Sequence, residues 1–302
     1  MRRLAGIAVV LAVLISGCTA PEPSQGPQIV VTTNILGDVT QQVLGDQATV
    51  TTLMQPGADP HSFEISAQQA ALMGTADLLV SNGLGLEEGL QQHLDRAAGA
   101  GTPMLAAGDV VEVVPYASGE AQGTPDPHFW TDPAAMLEVV NAIEAAARGI
   151  TGIDAQKLAT SASAYRARLQ DLDARMAATF ASIPAERRAL VTNHHVFGYL
   201  AQRFDFRVIG AVIPGGTTLA APSAADLRQL SDAINSAGVP TIFAESSQPD
   251  RLVKVLASEA GVKVQVTELF TESLTGPGGE AASYLEMMGV NTQRITAGLT
   301  SP

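Results

Sequence analysis

The chain has one cysteine in 302 residues, Cys18. An intramolecular disulfide is therefore impossible, and a metal centre elsewhere must do without thiolate. Basic residues are also scarce, with 17 Lys and Arg against 30 Asp and Glu. The resulting net charge of −13 argues against nucleic acid or anionic lipid as partners and mildly favours cations. No HExxH stands in the chain, and no short-period repeat is evident. The apolar run at the N-terminus, Leu4 to Ile15, has twelve residues, too few to span a bilayer. The chain as a whole is 46% hydrophobic and 16% charged, a soluble, globular composition, and its length suits two domains that each bury a core.

Arg2 and Arg3 before that apolar run, and Ser16-Gly17-Cys18 after it, read as an export signal over residues 1–17. ISGC resembles the lipobox of bacterial lipoproteins, in which the signal is cut before the cysteine and the thiol is lipidated. Removing residues 1–17 takes two of the 17 basic residues and none of the 30 acidic ones, leaving a charge of −15. The Pro/Gly/Ser/Gln-rich residues that follow, to Gln28, have the composition of a flexible tether.

Strand-like and helix-like runs then alternate. Ile29–Thr33, Thr49–Met54, Asp77–Ser81, Met104–Ala106 and Val110–Val114 read as strands. Leu36–Leu44 and Ala67–Gly74 read as helices, the second capped by Ser66; another starts at Pro133, capped by Thr131 or Asp132. Asp154 to Ser182 contains no Gly or Pro, and Tyr165, Leu169, Leu172, Met176 and Phe180 mark one apolar stripe along it. A second alternating series follows: strand Ala189–Asn193, helix His195–Phe204, strand Arg207–Ile213, helix Ala224–Ala237, strand Thr241–Ala244, helix Arg251–Gly261, strand Lys263–Val266 and a final helix Ala281–Leu299. The expected fold is α/β: two lobes, each a mostly parallel sheet flanked by helices, bridged by one long rigid helix. The expected divisions are 1–17 signal, 18–28 lipidated cysteine and tether, 29–153 N-terminal lobe, 154–183 linking helix, and 184–302 C-terminal lobe.

Three of the five histidines share a setting. His61 in QPGADPHSFE, His128 in TPDPHFWTDP and His194 in LVTNHHVFGY lie 67 and 66 positions apart, each near a junction between strand and helix. Glu272, in ELFTESL, has a similar address 78 positions further on. Ligands in such sheets bind beyond the carboxyl ends of strands, and four loops of this kind can assemble a buried site of three nitrogens and one oxygen. Asp-Pro before His61 and His128 restricts both approaches to extended backbone. His195 adjoins His194 but points elsewhere, and His93 lies amid polar residues on a helical segment, where a solvated histidine is the ordinary outcome. A loop glutamate such as Glu272 is also commonly just solvated. Asp59, Glu64 and Glu245 stand close enough in sequence to orient ligating imidazoles, with loop capping and surface solvation as equally good readings.

Taken together, GADPHSFEIS, DPHFWTDP, NHHVFGYLAQRF, IFAESS, LFTESL and SYLEMMGVN resemble the cluster A-I metal-binding lipoproteins of bacterial zinc and manganese ABC importers, over essentially the whole mature chain. The resemblance implies a metal held between two lobes by His61, His128, His194 and Glu272, with lipid on Cys18. It implies Zn²⁺ as cargo, Mn²⁺ or Fe²⁺ being the alternative, because manganese members often carry Glu at the third position, where this chain has His194. The implied partner is an importer permease. The implied place is the extracytoplasmic face of the membrane, with the protein a monomer held there by its lipid alone. Two departures stand out: the family's fourth ligand is usually Asp, and residues 114–126 lack the His-rich loop of many zinc-specific members. An adhesin, a metal chaperone or a metal-dependent hydrolase is the rival reading; the last needs an open coordination position and a base, for which Glu245 is available only if Glu272 does not ligate.

Overall fold

Two runs of strand and helix, separated by one long helix, make up the chain. The computed structural model describes residues 26–213, 215–248, 251–259 and 265–301. The export signal, Cys18 and most of the tether lie outside the described residues. In order come β1 (Gln28–Val31), α1 (Asn34–Leu44), β2 (Thr49–Thr52), α2 (Ala67–Met73), β3 (Leu78–Ser81), α3 (Gln91–Gly99), β4 (Met104–Ala106), α4 (Pro133–Ala147) and α5 (Ala155–Phe180). The second half holds β5 (Ala189–Thr192), α6 (Gly198–Phe204), β6 (Arg207–Ala211), α7 (Ala224–Ala237), β7 (Thr241–Glu245), α8 (Arg251–Glu259), β8 (Gln265–Leu269) and α9 (Tyr284–Thr300).

The two sheets have the same plan, β2-β1-β3-β4 and β6-β5-β7-β8. All their strand pairs are parallel, where a mostly parallel arrangement was expected. In each sheet the strand order reverses beside the first strand of the run, between β1 and β3 and between β5 and β7. Loops leaving the carboxyl ends on the two sides of such a reversal diverge and open a crevice. That topology brings the segments after β2 and β4 of the first sheet and after β5, β7 and β8 of the second to carboxyl edges where they can share one centre.

Local chemistry sets the ends of the elements. The Thr33 side chain accepts from the Leu36 N–H and caps α1, so β1 stops short of the expected Thr33. Ser66 and Gln69 form a reciprocal capping box on α2. Asp132 caps α4 with Pro133 in its first turn, and Asp154 accepts from Gln156 and Lys157 at the start of α5. Several expected bounds shift, with α9 beginning at Tyr284 and β8 running on to Leu269, and two departures have a visible cause. Val110–Val114 is not a strand: the chain turns after β4 at Ala107–Asp109, and the Val114 N–H is taken by Tyr199 Oη. α6 begins at Gly198, three residues later than read from sequence, because the Thr192 hydroxyl donates to the His194 carbonyl at 2.5 Å and holds the chain in a local turn.

At about 1.5 Å per residue, the 26 residues of α5 extend about 39 Å. Its stripe of Tyr165, Leu169, Leu172, Met176 and Phe180 is wholly buried, joined by Leu158 and Ala162. α5 packs against α1, α4 and α9, so helices from both halves of the sequence share its apolar face. A single core cluster accordingly runs from Ile29 and Val39 through α5 to Phe243, Tyr284 and Leu299.

Candidate metal centre

His61, His128, His194 and Glu272 converge, all four buried, with one ligand atom from each lying within 4.8 Å of the others. Glu272 Oε1 is the hub, 3.1 Å from His61 Nε2, 3.3 Å from His128 Nε2 and 3.2 Å from His194 Nε2. His128 Nε2 lies 3.4 Å from His61 Nε2 and 3.3 Å from His194 Nε2. A tetrahedron around zinc with bonds of about 2.0–2.1 Å has edges of about 3.3 Å. Five of the six donor pairs therefore already stand at coordination spacing. Glu272 Oε2 is buried without a hydrogen-bond partner.

Each imidazole is aimed by its own loop. Asp59 Oδ1 accepts the His61 N–H at 2.9 Å, and Asp126 Oδ1 accepts the His128 N–H at the same distance. Asp126 Oδ1 also lies 2.6 Å from His128 Nδ1. Since a carboxylate only accepts, Nδ1 carries a proton and Nε2 is the atom that faces the centre. Glu245, at the end of β7, does the same for His194 Nδ1. The His61 Nδ1 has no hydrogen-bond partner; on that side lies Glu88 Oε1, 3.9 Å away.

The three carboxylates picked out beside the ligand loops thus divide. Glu245 meets an imidazole directly, Asp59 acts through the backbone of the His61 loop, and Glu64 is exposed on the surface. Asp126 was missed, although it stands two residues before His128 as Asp59 stands two before His61. That repeated Asp-x-His was the available signal. His195 lies outside the cluster, in contact with the Tyr116 ring at 6.4 Å between centroids, and His93 sits on α3 and takes no part.

Burial works against charge on His194, yet the carboxylates of Glu245 and Glu272 outweigh it and hold the imidazole well above its ordinary range. His128 is raised in the same way by Asp126 and Glu272 against its own burial. Burial would raise Glu272, but His194 and the bonds from all three imidazoles keep it well below the usual carboxylate range. Burial, with Glu272 as a like charge, raises Glu245 although His194 pulls the other way. His195, buried beside His194, is lowered to about 4 and stays neutral. Without an ion, the centre is a proton-bridged cluster in which a cation can take the place of protons.

The sequence model of the family described as zinc-uptake complex component A, periplasmic (ZnuA), matches residues 29–298. The chain belongs to this family. It is 30% identical over 277 residues to the zinc-binding protein TroA of Treponema pallidum, covering 90% of this chain and 89% of TroA. It is 27% identical over 305 residues to the manganese-binding lipoprotein MntA of Halalkalibacterium halodurans, covering 97% of each chain. The iron-binding protein YfeA of Yersinia pestis is 27% identical over 271 residues, 90% of this chain and 86% of YfeA. The solved structure of TroA superposes with a TM-score of 0.84 at 29% identity, over 91% of this chain and 100% of that one. Its two-lobed α/β fold is the fold described above. Within the ZnuA family these names span three metals, so membership alone does not select the ion.

Proposed function

We propose that this chain is the substrate-binding protein of an ABC metal importer, capturing a divalent transition metal outside the cytoplasm and passing it to a membrane permease. The observation that carries the reading is the set of four buried donors, three imidazoles and one carboxylate, already at coordination spacing. Zn²⁺ is the favoured cargo: it accepts four-coordinate nitrogen and oxygen sites, whereas Mn²⁺ prefers six harder oxygen-rich ligands. Mn²⁺ or Fe²⁺ is the alternative. His61, His128, His194 and Glu272 are the ligands on this reading; Asp126 and Glu245 fix two of the imidazoles, and Asp59 fixes the third loop. Four protein ligands leave no water-bearing position of the kind a catalytic zinc uses, which favours capture over hydrolysis.

Residues 29–153 and 184–302 act as the two lobes and 154–183 as the strut between them. Cys18 carries the lipid and residues 19–28 the tether, so a monomer is held at the extracytoplasmic face. The naming of MntA as a lipoprotein supports the anchor, and no helix among the described residues is long and apolar enough to cross a membrane.

Metal analysis of the protein purified without added metal, followed by Zn²⁺/Mn²⁺ competition calorimetry, tests the reading. One ion per chain is expected, with zinc retained. A His61→Ala/His128→Ala variant that binds as tightly as the wild type would falsify the ligand assignment. Retention of manganese against zinc would overturn the choice of cargo alone.

A further inference from the structure

Although Glu272 follows a strand of the second sheet, its segment is stitched to the first half of the chain. Trp130 Nε1 donates to the Thr271 carbonyl at 2.7 Å. Asn34 Nδ2 donates to Ser273 Oγ at 2.8 Å, and Asn34 Oδ1 accepts the Leu274 N–H at 3.0 Å. The Gly57 N–H, from the His61 loop, lies 2.9 Å from Ser273 Oγ and 3.1 Å from the Leu274 carbonyl. These groups are mostly buried, and breaking their bonds would leave donors and acceptors without water. These bonds tie Glu272 to the His61 and His128 side, although Phe270 just before it is also held by Asn291 of α9. The bonds of His194 beyond the centre go instead to Thr192 and Glu245, both in its own sheet.

A different set of contacts ties the His194 side to the ligand loops of the first half. The Asp59 carboxylate accepts the His61 N–H and the Ser62 hydroxyl from its own loop. From across the cleft, its Oδ2 accepts Thr218 Oγ1 at 2.6 Å and Gln248 Nε2 at 2.6 Å. Nearby, Tyr116 Oη, 3.4 Å from His128 Nδ1, donates to the Gly216 carbonyl at 2.9 Å. A Cβ at Gly216 would lie 2.7 Å from the Tyr116 ring, so only glycine lets the 215–219 segment approach so closely. Thr218 and Gln248 are half-buried, so water can replace them on Asp59 far more readily than it can reach the Asn34 and Trp130 bonds.

We propose that Asp59, Thr218 and Gln248 form a latch that sets how long the ion stays bound, and that release starts there. This rests on the metal-capture reading above. Asp59 is a positioning residue: it holds the His61 loop on one side and the second half of the chain on the other. When Thr218 and Gln248 let go, the second sheet draws His194 off the ion while His61, His128 and Glu272 remain together. The departing ion is left on three ligands with one face open.

Stopped-flow transfer of Zn²⁺ from the full-length protein to excess chelator tests this, comparing wild type with Thr218→Val, Gln248→Leu and the double variant. Release is expected to accelerate about tenfold for each lost donor, since each is a hydrogen bond to a charged group. The on-rate and one-to-one stoichiometry should persist, with the metal-free melting temperature unchanged to within about 2 °C. Thr218→Ser, which keeps the hydroxyl, should restore slow release, and it decides between latch and general loosening if the double variant does not fold. Wild-type release rates in Thr218→Val and Gln248→Leu, with binding intact, would overturn the latch and leave capture standing. Failure of the wild type to bind Zn²⁺, Mn²⁺ or Fe²⁺ would overturn capture itself.

Discussion

Asp126 shows how much of a metal centre is decided one bond away from its ligands. One oxygen accepts both the backbone N–H and the ring Nδ1 of His128, fixing the loop and the tautomer together. Asp126→Ala should therefore weaken metal binding by about 10–100-fold, the usual cost of losing such a partner, while leaving the ligand set complete. Calorimetry would check it; an affinity within twofold of wild type would show that the loop alone orients the ring. The residue was legible in principle, because Asp-Pro-His occurs twice, yet only the first aspartate was given an orienting role. Thr218 and Gln248 were not legible at all. They meet Asp59 across sequence separations of 159 and 189, and a threonine in a Gly-rich loop looks like any turn residue. The three histidines were legible for the opposite reason: each stands in a loop between a strand-like and a helix-like run, and two of the three follow Asp-Pro.

For whole elements, apolar periodicity is informative where one face packs, and misleading where a neighbour is missing. The five stripe positions of α5 are all buried, as their spacing of three and four requires. Leu169, fully buried at the middle of that stripe, is the place to test the strut. Leu169→Ala should cost about 2–5 kcal/mol in chemical denaturation of the metal-free protein, without changing the number of ions bound. A loss under about 1 kcal/mol would mean that the helix is not clamped as its packing requires. Val110–Val114 illustrates the other side. Its β-branched residues suit a strand, but the segment turns away from β4; Tyr199 takes the Val114 N–H, and the Val114 carbonyl accepts the Asp126 N–H. Strand propensity describes a surface waiting for a partner, and here the sheet supplied none.

At the scale of the whole molecule, protons and metal compete for one cluster. His194 is held above the ordinary imidazole range by Glu245 and Glu272 despite its burial. Its protonation thus stabilises the metal-free fold fully below the unfolded value of about 6.5, and that stabilisation fades as pH rises through the raised folded value. Metal binding has the opposite slope, because the ion must displace that proton. Affinity should still be rising with pH above about 6.5, with up to about two protons released per ion near neutrality, because His128 is raised as well as His194. Calorimetry in buffers of differing ionisation enthalpy measures that number. Zero release at about pH 7 would show the metal-free His194 to be neutral.

The centre also joins residues that the chain keeps far apart. His61 and Glu272 meet across 211 positions, and no two of the four clustered donors come from the same loop. Contacts so remote in sequence carry a high loop-closure cost and are slow to form. An extended chain in transit therefore offers an ion nothing but scattered single donors. Unlike a zinc finger, whose metal drives its folding, this protein must fold first and bind afterwards. It acquires its affinity in whichever compartment it folds, and it cannot carry metal there from the place of its synthesis.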